Sequence, residues 1–338
     1  MTFNHIRDTD ECKSMQRYGL RFTQTHWCIF PGPTHYVQKT PVVSVEVCMT
    51  ARSVPYDRLV VSTDERRPAV LDVIRQARRR ITLSLFRCND AAVFEELKAA
   101  ADRGVEVEVL VTSRAKGGEK KMAKLWRALE QTGASLHSYT DPVVKYHPKY
   151  LVADQGPAIV ASLNFTKKCF KNTCDAIVIT HDPAVVADLR RLWTADCDRQ
   201  AMPADLADRL IVGPERARRQ FTALIEGART SIRLIDAKLS DPDLVSLLNE
   251  KRAAGTTVEA FTAKQLGDLK SHGKIMLLDD ETVVVGSLAL AALSLDFRRE
   301  VAIVVTDAPA VEAVIELFRS VRDAATDGRA AATGEALC

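Results

Sequence analysis

The sequence predicts an α/β fold made of two tandem copies of one unit, each a sheet flanked by helices, related by pseudo-twofold symmetry. Two observations lead to this prediction. Strand-like and helix-like patterns alternate along residues 58–111, which is typical of helices that cover a sheet. The same order of patterns then recurs further along the chain. The length of 338 residues is enough for two units that each bury a core.

The elements of the first copy follow from their patterns in order. Residues 58–62 are a short apolar run and predict a strand, and residues 67–79 place apolar side chains at helical spacing. Residues 81–86 alternate apolar and polar side chains, as a half-buried strand does. Residues 91–104 predict an amphipathic helix that ends at a glycine, and residues 105–111 predict a further strand.

The second copy is recognised from residues that match the first copy at a constant distance along the chain. Ala77 matches Ala228 and Gly104 matches Gly255, and both pairs are 151 residues apart. Further on, YHPKYLVAD is echoed by SHGKIMLLD at an offset of 125. The difference of 26 residues falls on the stretch 116–139, which predicts a helix and a strand present only in the first copy. We therefore expect the second copy to be shorter.

Four segments are expected along the chain. Residues 1–54 lack a sustained hydrophobic period and predict a poorly ordered extension, and residues 324–338 are rich in small side chains and predict a mobile tail. Residues 55–203 and 204–323 are the two expected units. A zinc site in the extension is disfavoured, because its cysteines and histidines lack the spacing of zinc ligands.

Composition excludes several classes of protein. The 46% hydrophobic and 27% charged residues are typical of a globular protein, and no apolar run is long enough to cross a membrane. The net charge of +3 is too small for a protein that coats nucleic acid. No signal-peptide pattern opens the chain, and the eight cysteines lack a disulfide framework. We expect a cytoplasmic protein with reduced thiols, in which Cys169 and Cys174 are small buried side chains rather than metal or disulfide partners.

Chemistry-bearing residues recur at the offset of 125. The matched pairs are His147 and His272, Lys149 and Lys274, Asp154 and Asp279, Ser162 and Ser287, and Asp175 and Glu300. A core needs only apolar positions to recur, so these matches point to a site. A histidine and a lysine two residues apart on a strand share a face and reach one point. The later acid of the same copy is expected to accept a hydrogen bond from the imidazole and fix its tautomer.

Such a set suits a phosphodiester. The non-bridging oxygens of this group carry negative charge, and in-line displacement needs a nucleophile on one side and a proton donor on the other. Two lysines can hold the oxygens, one histidine can attack, and the opposite histidine can protonate the leaving alkoxide. A cleft between two symmetric halves offers this geometry.

The pattern H-x-K-x4-D-x6-(G/A)-S-x-N, at residues 147–164 and 272–289, resembles the paired motif of the phospholipase D superfamily. The resemblance covers about residues 57–323 and implies a phosphohistidine intermediate and phosphatidyl transfer to water or an alcohol, without a cofactor or an obligatory metal. It implies that His147 and His272 are nucleophile and general acid, with Asp175 and Glu300 as orienting acids. By the same resemblance, the phosphate binders are Lys149, Lys274, Asn164, Ser162 and Ser287, and the residues that hold the motif loops are Asp154 and Asp279.

Three positions depart from the superfamily pattern. Ala161 replaces a glycine, the first acid is the shorter Asp175, and Ala289 stands where the second asparagine is expected, which removes a phosphate donor. Residues 114–171 hold eleven lysines and arginines against four acids, whereas residues 260–300 hold five against six. We therefore expect the phosphate to rest mainly against the first half, with His147 as nucleophile and His272 as acid.

The favoured function is a phospholipase D-like hydrolase or phosphatidyltransferase acting on glycerophospholipids. Residues 286–305 resemble the second motif of the bacterial cardiolipin synthase branch. The alternatives are a nuclease-type phosphodiesterase and an inactive phosphate-binding relative, the latter because of Ala289.

A chain with both motifs needs no partner to complete its site, so we expect a monomer. We expect peripheral contact with the inner membrane face; for the amphipathic helix at 118–131, core packing is the first interpretation and membrane contact the second.

Overall fold

The computed structural model describes residues 56–113 and 118–326, without the side chains of the last two. The predicted extension at residues 1–54 and most of the predicted tail at 324–338 lie outside these ranges. All described residues belong to one compact unit that begins at Pro55, and this unit contains both copies of the repeat.

The first copy alternates strands and helices as the sequence predicts. Its elements are β1 (Asp57–Val60), α1 (Thr63–Gln76), β2 (Arg80–Leu85), α2 (Ala91–Asp102), β3 (Glu106–Thr112), α3 (Glu119–Glu130), β4 (Ser135–Tyr139), β5 (Lys145–Tyr146), β6 (Tyr150–Ala153), β7 (Ala158–Ala161), α4 (Lys167–Lys171), β8 (Thr173–Cys174), β9 (Ile177–Thr180) and α5 (Pro183–Asp198).

The second copy repeats this order. Its elements are β10 (Leu210–Gly213), α6 (Ala217–Gly227), β11 (Ser231–Ile235), α7 (Pro242–Ala253), β12 (Thr257–Phe261), β13 (Gln265–Leu266), β14 (Leu269–Ser271), β15 (Ile275–Leu278), β16 (Thr282–Gly286), α8 (Ala292–Phe297), β17 (Arg298–Val305) and α9 (Ala308–Thr326). Because α9 reaches Thr326, the first residues of the predicted tail are helical. None of the described helices is both long enough and apolar enough to span a bilayer.

Equivalent residues begin and end equivalent helices. Asp90 accepts a hydrogen bond from the second residue of α2, and Asp241 accepts one from the third residue of α7, which satisfies a free backbone N–H at each start. After these helices the chain turns at Gly104 and Gly255, with φ of +82° and +96°. That left-handed conformation is the one glycine adopts without strain, so the matched glycines mark matched helix ends.

The two sheets correspond strand by strand, which confirms the tandem α/β architecture. The first sheet has the order β1-β9-β7-β6-β2-β3-β4, and the second has the order β10-β17-β16-β15-β11-β12. The first sheet has one additional edge strand, β4, and the helix that leads to it is α3. These are the two elements that the difference of 26 residues predicts in the first copy alone.

Three hydrophobic cores hold the fold together. A central core joins inner-face residues of both sheets with α5 and α9. One outer core lies between the first sheet and α1 to α4, and the other lies between the second sheet and α6 to α8. Helix α3 buries Met122, Leu125 and Leu129 in the first outer core, which supports core packing over membrane contact for this helix.

Short strands cross between the two halves in a symmetric way. Strand β5 of the first half pairs in parallel with the start of β17, Lys145 opposite Arg298 and Tyr146 opposite Arg299. Strand β14 of the second half pairs in parallel with β8, at the equivalent positions Lys270 with Thr173 and Ser271 with Cys174. Each segment that leads into a motif histidine is therefore attached to the segment that leads into the other half's acid.

A glycine permits the second of these crossings. A Cβ atom on Gly273 would lie 2.6 Å from the carbonyl oxygen of Cys174. The Gly273 amide instead donates a hydrogen bond of 2.7 Å to that same oxygen. The position after His272 therefore has no room for a side chain while the two halves stay paired.

Candidate active site

His147 is anchored by its backbone to the second half. Its amide donates a 2.9 Å hydrogen bond to the carbonyl oxygen of Arg299, which continues the pairing of β5 with β17. Its Nδ1 atom contacts Oε1 of Glu300, a carboxylate with no exposed side-chain area. On another side, the Phe86 ring lies tilted against the imidazole with centroids 4.2 Å apart. The backbone and both neighbours therefore fix the orientation of this imidazole.

His272 meets the acid of the first half. Its Nδ1 atom lies 3.1 Å from both carboxylate oxygens of Asp175. The hydroxyls of Ser162 and Thr173 each donate a 2.6 Å hydrogen bond to one of these oxygens. The buried Arg66 guanidinium donates to the backbone carbonyls of Thr173 and Asp175. The carboxylate is thus held by donors from its own half and presented to the histidine of the other.

The expectation that each acid orients the histidine of its own copy is wrong. The pairs are crossed, with His147 beside Glu300 and His272 beside Asp175. The physical reason is the exchange of β5 and β14, because each histidine follows a strand that is paired with the opposite half. Periodicity within one copy contains no information on this exchange.

The two acids differ in their electrostatic state. Burial alone would raise the pKa of Asp175, but attraction to His272 and hydrogen bonds from His272, Ser162 and Thr173 outweigh it and lower the pKa below its usual value. Burial dominates at the second acid and raises the pKa of Glu300 to about 7, although Lys149, Ser294 and Arg298 act against it.

His147 lies among cations. Burial, followed by repulsion from Lys149, Arg298, Lys274 and Lys238, lowers the pKa of His147 well below its usual value. The imidazole is therefore neutral at physiological pH, and a nitrogen lone pair is available to attack an electrophile.

The two motif lysines take equivalent positions. Lys149 is 2% exposed, and its Nζ atom donates to the carbonyl oxygen of His147 at 2.5 Å while lying 3.0 Å from Nδ1 of the ring. Burial lowers the pKa of Lys149 well below its usual value. The Lys274 ammonium donates in the same way to the carbonyl oxygen of His272. Both lysines thus turn back toward the histidine two residues before them.

The serines have a different role from the predicted one. Ser162 donates to Asp175 and accepts from the Ala176 amide at 3.0 Å. Ser287 faces the Val301 backbone, accepting from its amide at 3.2 Å. Both hydroxyl protons are donated within the protein, Ser162 to Asp175 and Ser287 to the Val301 carbonyl, so we correct the prediction that these hydroxyls bind phosphate. Ser162 holds the segment around Asp175, and Ser287 holds β17, which contains Glu300. Asn164 is 7% exposed, and its Oδ1 atom has no hydrogen-bond partner.

The motif aspartates hold turns. Asp154, with φ of +43°, accepts hydrogen bonds from three consecutive amides, those of residues 78, 79 and 80. Asp279, with φ of +54°, accepts from the amides of residues 229, 230 and 231 and from the Thr230 hydroxyl. These carboxylates join the end of one strand to the start of another, and their bonding capacity is taken up there.

Three residues of the site are not singled out by the sequence. Arg66 supports the backbone around Asp175 and is completely buried. The Arg298 guanidinium lies 3.7 Å from Oε1 of Glu300, and Lys238 lies close enough to His147 to lower its pKa. Lys238 is the repeat equivalent of Arg87 at the offset of 151, a match that extends the alignment of 77–86 with 228–237 by one residue. The match of Arg87 with Lys238 could therefore have been found from the sequence.

One group of side chains has the composition of a metal site. Ligand atoms of Cys169, Asp175 and His272 lie within 4.8 Å of one another. Both oxygens of Asp175 already accept hydrogen bonds, and Cys169 is the repeat equivalent of Ser294, whose hydroxyl donates to Glu300. The residues thus form an acid–histidine pair with its supporting neighbour and do not fit a resident metal. Cys169 and Cys174 are both buried, as predicted.

We expect the crossed pairing of histidines and acids to affect the free energy of unfolding. The lowered pKa of Asp175 means that its ionised form stabilises the folded state above a pH of about 4, and that this contribution is lost as pH falls through the folded-state pKa. The Asp175→Asn variant should lose about 2 kcal/mol of unfolding free energy near neutral pH, and less in acid. Urea denaturation across this pH range measures the difference.

The matched control uses the two histidines. In a His272→Ala background the effect of Asp175→Asn should shrink, whereas in a His147→Ala background it should remain in full. Equal coupling of Asp175 to both histidines would contradict the crossed arrangement.

Comparison with known proteins agrees with this architecture. The family model described as cardiolipin synthase, PLD-like domain, matches residues 70–196 and 246–322, more than half of the chain. Cardiolipin synthase A of Pseudomonas entomophila is 26% identical over 130 residues, which are 38% of this chain and 27% of that protein. The chain therefore spans about a quarter of the length of this relative.

Two solved structures share the fold across both halves. Phosphatidylserine synthase of Haemophilus influenzae superposes with a TM-score of 0.64 at 10% identity, covering 79% of this chain and 86% of that one. Polyphosphate kinase of Porphyromonas gingivalis also gives a TM-score of 0.64, at 20% identity, covering 78% of this chain and 46% of that one. Taken with the family match, the chain belongs to the phospholipase D superfamily, in the family of cardiolipin synthase PLD-like domains.

Proposed function

We propose that this chain cleaves a phosphodiester of a glycerophospholipid through a phosphohistidine intermediate and transfers the phosphatidyl group to water or an alcohol. The observation that carries the proposal is the crossed pair of histidines, each backed by a fully buried acid of the opposite half. The family match and the name of one relative, cardiolipin synthase A, support a phospholipid as substrate.

His147 is the better nucleophile of the two. Its lowered pKa keeps the imidazole neutral, and the contact of Nδ1 with Glu300 leaves Nε2 for the substrate. In the first step a bond forms between Nε2 and phosphorus while the bond from phosphorus to the leaving oxygen breaks. His272, held at Nδ1 by the ionised Asp175, gives its Nε2 proton to that oxygen.

The second step reverses the proton transfer. The Nε2 atom of His272 takes a proton from water or an alcohol, and the resulting oxygen nucleophile forms a new bond to phosphorus. The bond from phosphorus to His147 breaks and restores the free imidazole. Hydrolysis and transfer share the intermediate and differ only in which hydroxyl enters.

Cations of both halves stabilise the charge on phosphorus oxygens. Lys149, Lys274 and Arg298 all act on His147 electrostatically, so an anionic group in contact with this histidine lies in their combined field. Asn164 adds an amide from the first half. Arg298 compensates for the donor that is lost at Ala289, because it brings a guanidinium to the second half's side of the site.

We expect phosphorus NMR to show the reaction on mixed phosphatidylglycerol and phosphatidylcholine vesicles with a primary alcohol and EDTA. A phosphatidic acid or phosphatidyl-alcohol signal should grow with the wild-type protein, because the proposed chemistry uses side chains alone. The His147→Ala variant should lower the rate at least about 10³-fold. If the wild-type protein gives neither product signal, the phospholipid proposal is wrong and nucleic acid becomes the favoured substrate.

Trapping should separate the roles of the histidines. A radioactive phosphodiester with a 4-nitrophenolate leaving group needs little protonation, so the His272→Ala variant should form the intermediate and resolve it slowly. Protein denatured with detergent at alkaline pH, where a phosphohistidine survives, should then retain label in His272→Ala and none in His147→Ala. Label that persists only in His147→Ala would reverse the assignment.

We also propose that the protein contacts the membrane surface beside this site. Val143, Leu293 and Phe297 are 65%, 47% and 48% exposed. Leu293 and Phe297 are four residues apart on α8, and the parallel pairing of β5 with β17 brings the segment before Lys145 alongside Phe297. The basic residues Lys145 and Arg298 follow directly, a combination that suits an anionic lipid surface.

The Phe297→Glu variant should weaken sedimentation with anionic vesicles about tenfold and lower turnover of vesicle phospholipid, while turnover of the soluble 4-nitrophenyl substrate stays within about twofold. Tyr56→Glu is the matched control, since Tyr56 is 53% exposed and lies outside this patch. Equal vesicle binding by Phe297→Glu and the wild-type protein would remove the patch from the proposal.

A further inference from the structure

The crossing that leads into His147 is short. Strands β5 and β17 pair over two residues, and in the second of these pairs Tyr146 lies opposite Arg299. The backbone carbonyl of Arg299 then accepts the hydrogen bond from the His147 amide. So short a pairing has little stability of its own, and its register therefore depends on what holds the side chains of the paired residues.

The side chain of Arg299 is bound to both halves of the protein. It is 5% exposed, and its Nε atom donates a 2.8 Å hydrogen bond to Asp196 of α5, which is 4% exposed. Its two terminal nitrogens donate to the two carboxylate oxygens of Glu215, and one of them also donates to the Gly213 carbonyl at 2.8 Å. Asp196 belongs to the first copy and Glu215 to the second, so the ion network of Arg299, Asp196 and Glu215 joins the halves at the crossing.

The residue opposite Arg299 is also fixed. The Tyr146 hydroxyl shares a 2.7 Å hydrogen bond with Ser84 of β2, and the Tyr146 ring stacks on Tyr139 with centroids 4.6 Å apart. Burial raises the pKa of Tyr139, while the charge of Arg299 lowers it and that of Asp196 raises it, so this stack lies near the ion network. Both sides of the crossing are therefore held by buried side chains.

The other crossing is held in a different way. At the offset of 125, Arg299 corresponds to Cys174 and Tyr146 to Ser271, so β8 and β14 pair through two small side chains. There the buried Arg66 of α1 donates to the backbone on both sides of Cys174. Each crossing thus has a buried arginine, although the two arginines are not equivalent in the repeat. This points to a requirement of the crossings themselves.

Stability alone is a weak reason for a buried ion network. Burial raises the pKa of Asp196 to about 7, although Arg299 lowers it, so the ion pair does not fully offset the cost of burying this carboxylate. Buried ion pairs often stabilise a protein less than apolar side chains of similar volume, and their best-attested role is to set register. The register at this crossing is that of His147 against Glu300, the residue that follows Arg299 on β17.

We propose that Arg299, with Asp196 and Glu215, is a positioning residue for His147: the ion network fixes the β5–β17 crossing, and the crossing fixes the imidazole against Glu300. This inference rests on the proposed function, in which His147 is the nucleophile. Successive residues of a strand point to opposite faces, so the Arg299 side chain acts through the backbone and not through contact with substrate. A loosened crossing leaves the cations that bind phosphate in place and lowers the fraction of imidazoles aligned for attack.

The kinetic test uses the soluble 4-nitrophenyl phosphodiester. We expect Arg299→Met and Asp196→Asn to lower kcat about tenfold or more, with KM changed less than about threefold, because a misaligned nucleophile affects the chemical step. Arg299→Lys keeps the charge beside Asp196 without the planar fork, and it should recover part of the loss. Wild-type kcat in both Arg299→Met and Asp196→Asn would overturn the proposal.

The matched control is an arginine that joins the halves at the other end of β17. Arg209 donates to the carboxylates of Asp57 and Asp182 in the first copy. It also donates to the Val304 carbonyl at 3.1 Å. Arg209→Met should lower the free energy of unfolding, as Arg299→Met does, and keep kcat within about twofold. Equal losses of kcat in the two variants would assign the effect to overall stability and refute a positioning role.

Proton NMR of the resting protein separates this inference from the proposed function. A histidine Nδ1 proton held by a buried carboxylate resonates at low field, so each histidine–acid pair should give one such signal, assigned by its loss in His147→Ala or His272→Ala. In Arg299→Met the His147 signal should be lost and the His272 signal should remain. Retention of both signals contradicts the inference, even where kcat falls. If the wild-type protein turns over no phosphodiester, the proposed function fails, and selective loss of the His147 signal still supports the positioning role.

Discussion

The crossing of two short strands between the halves is the constraint on which the site depends. Four residue pairs, two on each crossing, set the position of each motif histidine relative to an acid far away in sequence. Neither half contains a complete histidine–acid pair by itself. The close approach at Gly273 shows how little space the arrangement leaves, because a single methyl group there would meet the backbone of the opposite half. Formation of the site and docking of the halves are therefore the same event.

Symmetry of the backbone does not extend to the charges. Thr173 and Arg298 are equivalent at the offset of 125, and each lies two residues before an acid. The threonine donates a hydrogen bond to Asp175, which helps to keep that carboxylate ionised despite burial. Glu300 has one hydroxyl donor, Ser294, and cations at longer range, and burial raises its pKa to about 7. One frame thus presents a histidine beside an ionised carboxylate and a neutral histidine among cations, which is the division that a nucleophile and a proton donor need.

The tandem architecture, the shorter second copy and the residues of both motifs could be predicted from the sequence, because register-matched residues 125 and 151 apart are a direct record of duplication. The crossed pairing of histidines and acids could not be predicted. A hydrophobic period shows which face of a strand is buried, but it does not show which other strand lies beside it. The count of lysines, arginines and acids along the sequence also differs from the charges found around His147. It assigned the positive field to the first half, yet three of the four cations that lower the pKa of His147, Lys238, Lys274 and Arg298, come from the second. A linear count weighs every charge equally, whereas the field at one atom depends on which side chains fold toward it.

The surroundings of Ala289 reflect this difference in charge between the two halves. Its amide donates a 2.9 Å hydrogen bond to the Ser294 hydroxyl, and that hydroxyl donates to Glu300. The position that would offer an asparagine side chain thus supports an acid through its backbone, while Arg298 provides the positive charge nearby. Each histidine contacts the acid of the opposite half, and each motif lysine donates to the histidine of its own half, so the other motif residues stay in place around Ala289. Within the proposed function, His272 of the second half transfers the proton with Asp175 behind it, and Arg298 supplies positive charge on the side where Ala289 offers no amide.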